Sequence, residues 1–151
     1  AAQAGHWEIC EALLDRGCSI EYCKTNTDRA TPLILAACHG QTDVVEGLIQ
    51  RGAQIDAVDK DGYSALMWAC FKGRDEVASL LSELGANVSL ASNHGNTPLI
   101  YAAYANSPAI CQLLLRKGAS ASASNAKGMT AADVARQQGH EGLLAVLEGG
   151  G

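Results

Sequence analysis

Aromatic residues are scarce, at 5% of 151 residues, with a single Phe. A large aromatic core is excluded, and the 16 glycines suit close packing of small helices instead. Basic residues are also few. Eleven Lys and Arg stand against sixteen Asp and Glu, giving a net charge of −5, and they form no run. Phosphate neutralisation needs clustered Lys and Arg, so nucleic acid is not an expected partner. The acidic balance carries a mild preference for basic ones. No apolar stretch reaches the roughly 20 residues of a membrane span. The opening "AAQAGHWEIC" lacks a signal-peptide pattern. Cys10, Cys18, Cys23, Cys38, Cys70 and Cys111 form no CxxC pair, and no His pair of zinc spacing accompanies them. They read as small, buried, reduced residues of an intracellular protein, with no metal and no cofactor implied.

What the chain does have is a period. "TPLILAACHG" begins at Thr31, "SALMWACFKG" at Ser64, "TPLIYAAYAN" at Thr97 and "TAADVARQQG" at Thr130, a step of 33 residues each time. A second apolar run follows each start: "VVEGLIQRGAQI", "VASLLSELGANV", "ICQLLLRKGASA" and a shortened "LLAVLEGGG". At the front, "AAQAGHWEICEALLDRGCSI" matches the same pattern, as a unit lacking its first helix.

Each unit reads as two short helices. Thr or Ser supplies an N-cap hydroxyl, and Pro32 and Pro98 fit the first turn, where no N–H partner is needed. Gly40, Gly73 and Gly139 allow a tight turn out of the first helix; Asn106 fills that slot once and tolerates a left-handed backbone. Asp43, Asp75 and Glu76 favour the positive end of the second helix. Helices of about ten residues are marginal alone in water. Stacked neighbours supply the continuous core, which makes a solenoid.

Thr-Pro-Leu, the paired alanines, Gly, the Leu run and Gly-Ala all recur in phase. In this the whole chain resembles the ankyrin-repeat family. The resemblance implies an all-α solenoid of stacked antiparallel helix pairs with β-turn fingers. Its expected divisions are a truncated first repeat with an extended loop at 1–25, repeats at 26–58, 59–91 and 92–124, and a capping repeat at 125–151. The family's His after Thr-Pro-Leu is missing; Ile34, Met67, Ile100 and Asp133 stand there. Apolar packing is the expected substitute.

The resemblance also implies a non-catalytic scaffold or adaptor, monomeric, binding a protein or extended peptide through its concave groove and fingers. Slot by slot, the fingers contribute Asp28, Arg29, Lys60, Asp61, Tyr63, Asn93, His94 and Asn96. The inner helices contribute His39, Trp68, Phe71, Lys72, Tyr101 and Tyr104. Five of the seven aromatic residues fall in two adjacent units, in "GYSALMWACF" and "YAAY". Cys70 occupies a packing slot beside Ala69. Trp68 and Tyr101 equally suit inter-repeat filling. Phe71 and Tyr104 follow the small pair and are expected to face the groove, with Lys60, Lys72, Asp61 and His94 as a polar rim.

Two other readings use the same residues. An aromatic cage for methylated or cationic side chains needs three converging rings and a nearby carboxylate, for which Asp61 is the candidate. A cysteine enzyme needs Cys70 paired with His39 or His94, but these lie in different repeats. "CKTNTDRA" reads as a longer finger or a tolerated insertion. Trp7 reads as packing on a preceding repeat or covering the edge.

Overall fold

The computed structural model describes residues 30–149. Asp28, Arg29, Trp7, the "CKTNTDRA" segment up to its final Ala30, and the 1–25 unit lie outside the described residues. The helices occur in pairs. They are α1 (Pro32–Cys38) and α2 (Thr42–Gln50), α3 (Ala65–Phe71) and α4 (Asp75–Glu83), α5 (Pro98–Tyr104) and α6 (Pro108–Arg116). Last come α7 (Ala131–Gln137), a 3₁₀ turn (Glu141–Leu143) and α8 (Leu144–Gly149). The described part is an all-α helix-pair solenoid: α1, α3, α5 and α7 pack side by side as an inner layer. The helices α2, α4, α6 and α8 pack as an outer layer, and each pair also packs within itself.

The caps explain where each inner helix starts. The hydroxyls of Thr31, Ser64, Thr97 and Thr130 accept the N–H of the residue three places on: Ile34, Met67, Ile100 and Asp133. That position holds the residue expected to be His in the family. Ile34, Met67 and Ile100 are buried there, so apolar packing takes over from a polar side chain. Asp133 behaves differently. Its Oδ2 accepts the Thr130 N–H at 3.0 Å, closing a capping box at the start of α7. Asn106 holds the left-handed turn between α5 and α6 at φ 59°.

The core runs as one ribbon between the two layers. Leu33, Leu66 and Leu99 of the inner helices meet Leu48, Leu81 and Leu114 of the outer ones, all nearly inaccessible. Ala37, Ala69, Ala102, Ala103 and Ala135 show no exposure, which lets the inner helices approach closely. No helix of the described residues is long and apolar enough to cross a membrane.

Between pairs, the chain makes a finger. Isolated antiparallel bridges, Val58 to Ser64 and Ser124 to Thr130, close two of the finger stems. Successive fingers are tied by backbone bonds: the Asn93 N–H donates to the Asp61 carbonyl and the Ala126 N–H to the His94 carbonyl, each at 3.0 Å. This contact is why Gly62 and Gly95 are glycine. A Cβ on Gly62 would stand 2.7 Å from the Asn93 Oδ1, and one on Gly95 would stand 2.8 Å from the Ala126 nitrogen.

Candidate functional site

The site is built on the finger 59–63, the finger 92–96 and the inner helices α3, α5 and α7. Asp59 organises the first. Its Oδ1 accepts the N–H of Asp61 at 3.0 Å and of Tyr63 at 2.9 Å, while its Oδ2 accepts the Trp68 indole N–H at 2.9 Å. One buried carboxylate therefore shapes the turn and orients the tryptophan. Ser92 and Asn125 occupy the same slot in the next two fingers. The Asn125 Oδ1 accepts from Lys127 and Met129 at 2.9 and 3.1 Å. The Ser92 hydroxyl lies 3.1 Å from the Tyr101 hydroxyl. These three residues were missed in the sequence because their letters differ. Their shared property is a short side chain with an oxygen acceptor, repeated every 33 residues.

Five rings come together along α3 and α5. Tyr63 lies 5.1 Å from Trp68 and 5.3 Å from Tyr101, centroid to centroid. Phe71 packs edge-on against Trp68 at 6.0 Å and Tyr101 at 5.8 Å. It stacks on Tyr104 at 5.5 Å with planes 16° apart. Such pairs add to area burial when offset or edge-to-face. The rings differ in accessibility. Tyr101 is buried at 5%, and its hydroxyl also accepts the Asn96 side-chain N–H at 3.3 Å. It forms the floor. Tyr63, Trp68 and Phe71 are half-buried walls, and Tyr104, 46% exposed, is the open edge. A groove of about 360 Å³ begins there and runs toward the next finger, with Asn125, Met129 and Val134 on its far wall.

A polar chain lies beneath the rings. Asn96 also accepts the Asn125 side-chain N–H at 2.9 Å, so Ser92, Tyr101, Asn96 and Asn125 form one network across two fingers. Burial, followed by a side-chain hydrogen bond with Tyr101, pushes the Tyr63 hydroxyl above the ordinary tyrosine range. It stays a neutral phenol.

The remaining rim residues take varied places. Lys72 holds its Nζ 5.5 Å from the Phe71 ring and 6.0 Å from Trp68. The Asn93 side chain donates to the Lys60 carbonyl at 3.1 Å, stitching two fingers together. Asp61 and His94 are exposed on their fingers. His39 is not among the groove residues. It caps α1, with its Nδ1 2.8 Å from the Leu35 carbonyl, and it faces a smaller groove beside Arg74, Asp75 and Glu76.

The geometry bears on the two other readings. An ammonium in an aromatic cage must sit within about 6 Å of several ring faces. Here the rings contact one another, and Lys72 already approaches two of them. A thiol nucleophile requires a depressed pKa. Burial, then the neighbouring Cys111 and Asp75, push Cys70 well up, and burial pushes Cys111 up to about 12. Both are packing residues. His140 is likewise used structurally, its Nδ1 3.0 Å from the Ala103 carbonyl.

Comparison with known proteins agrees with this architecture. A family model described as ankyrin repeats, three copies, matches residues 1–92 and 84–150. The ankyrin repeat and KH domain-containing protein mask-1 of Caenorhabditis elegans is 36% identical over 69 residues, 46% of this chain and 3% of that protein. The Drosophila melanogaster protein mask, of the same description, is 36% identical over 66 residues, 44% of this chain and 2% of its own length. The E3 ubiquitin-protein ligase hecd-1 of Caenorhabditis elegans is 38% identical over 66 residues, again 44% of this chain and 2% of that protein. The chain thus matches only a small fraction of each of these relatives. With its period, capped helix pairs, stacked fingers and family match together, the chain belongs to the ankyrin-repeat family.

Proposed function

We propose that this chain is a non-catalytic scaffold or adaptor module of an intracellular protein, binding a protein or extended peptide as a monomer through its concave face. Ankyrin repeats are in general protein–protein interaction modules. The observation that carries the finer reading is the stacked pair of Phe71 and Tyr104 at the mouth of the groove. Helix packing does not require two aromatics there, and leaving Tyr104 46% exposed leaves hydrophobic area in water. Aromatic anchors near the centre of an interface carry a large share of binding energy. Tyr63, Trp68 and Tyr101 then hold the pair in place, and Lys60, Asp61, Lys72, Asn93, His94 and Asn96 form the surrounding rim. His39 belongs to a more distant part of the same proposed face, and Asp28 and Arg29 are included by their repeat slot alone.

The test is partner capture by the chain and by a Phe71→Ala, Tyr104→Ala variant of unchanged helical signal. Loss of capture, about 30-fold or more, is expected, since each anchor is worth about 1–2 kcal/mol. Unchanged capture would move the site to the fingers or the outer helices.

A further inference from the structure

We infer that the groove takes an extended acidic segment carrying one aromatic or large aliphatic anchor, an inference that rests on the groove being the binding face. The chain as a whole is acidic, at −5. Its net charge alone favours basic partners, but that charge is unevenly placed. No Asp or Glu lines the groove among the described residues; its wall carries Lys127 and His94. Lys72 adds a cation over the outer ring of the aromatic cluster, 5.5 Å from Phe71, beside the groove mouth. Asp59 lies near this side but accepts three N–H donors and is buried beneath the finger. Asp61, exposed on the same finger, is the opposing charge at the rim.

The outer layer shows the reverse. The groove between α4 and α6 is lined by Asp75, Glu76 and Glu83, with Arg116 among its lining and Lys117 paired with Glu83 at 3.1 Å, which leaves Asp75 and Glu76 as its acidic excess. The two faces of one thin solenoid therefore differ in sign. A basic segment would be drawn to the outer face, and an acidic one to the concave side. Charge complementarity of this kind selects partners and orients the encounter. The apolar part of the recognition falls to the Phe71–Tyr104 pair, which offers an open ring face to one large side chain. The amides of Gln137 and Gln138, exposed at the end of α7, supply donors and acceptors to an extended backbone.

The test is selection of a random dodecapeptide phage library on the whole chain, followed by titration of the selected peptides as synthetic, labelled probes. Enrichment of Phe, Trp or Leu flanked by Asp and Glu is expected. So is affinity that falls with added salt. Lys72→Glu with Lys127→Glu should weaken these peptides by about tenfold. The gentler Lys72→Gln, Lys127→Gln pair should weaken them less, and far-UV circular dichroism checks folding of both. Selected peptides with neutral or basic flanks that still lose binding to Phe71→Ala, Tyr104→Ala would overturn the acidic preference and leave the groove reading standing. Peptides indifferent to that aromatic variant, or no enrichment at all, would overturn both.

Discussion

The fingers at 59–63 and 125–129 follow the same backbone path, yet they are held by different means. The first is pressed against its successor, with Gly62 against Asn93 and a backbone bond from Asn93 to Asp61. In the last, nothing lies within 4 Å of a Cβ built on Gly128. Its helix compensates with its own side chains: the Thr130–Asp133 capping box, the Arg136–Asp133 ion pair at 3.2 Å and a contact from Arg136 to Glu148 of α8. The finger at 59–63 is braced by the one that follows it, whereas the unit carrying α7 and α8 is braced by the finger before it and by its own local polar bonds. The aromatic cluster sits on α3 and α5, each of which packs against an inner helix on both sides, which suits a surface that must keep its shape.

Glycine substitution breaks this comparison most sharply. Gly62 and Gly95 have φ of 81° and 77°, and Gly128 has 75°, so alanine is strained at all three. That strain costs about 1–2 kcal/mol. At Gly62 and Gly95 the added carbon also collides with the next finger. Urea unfolding should show Gly62→Ala and Gly95→Ala losing about 3 kcal/mol and Gly128→Ala about 1 kcal/mol. Equal losses would mean that the fingers do not support one another.

Asp59→Ala comes next. It leaves the Trp68 indole N–H and two backbone N–H groups without their acceptor, at a cost of about 2 kcal/mol. Asn125→Ala, in the more open finger, should cost about 1 kcal/mol by the same measurement. Asp59→Ala should also weaken partner capture by freeing Trp68 and Tyr63, whereas a purely local turn defect would leave capture unchanged.

The smallest effect is a pH dependence confined to the unit that carries α7 and α8. Hydrogen bonds from the Thr130 backbone and hydroxyl, followed by Arg136, hold the Asp133 carboxyl below its ordinary range. The folded state therefore favours the carboxylate. Its contribution is present above the unfolded carboxyl pKa of about 3.9 and is lost as pH falls through the lower folded value. Asp133→Asn should flatten that part of the acid unfolding profile and leave the profile at neutral pH parallel to the parent's.

The period exposed the fold because a solenoid repeats its physical demands in register: a hydroxyl cap, a small pair, a turn residue free to adopt positive φ. Asn106 shows that this logic reaches beyond glycine. The small slot of Cys70 was equally legible, and the residue is 1% exposed. Finer features of the candidate site were not. The common role of Asp59, Ser92 and Asn125 hides behind three different letters. The burial of Tyr101 depends on hydroxyl and amide partners in a finger several residues away. The sidedness of charge depends on Lys72 and Lys127 coming from different units, a placement that only stacking creates.

Amide hydrogen exchange of the whole chain tests the central claim most directly, that neighbouring fingers and helix pairs hold one another rigid. The amides of Asn93 and Ala126, which donate across the finger-to-finger contact, should exchange slowly, with protection near that of the inner helices. Gly62→Ala should release Asn93 first. Exchange of both amides at the rate of an unstructured peptide in the parent protein would contradict the account.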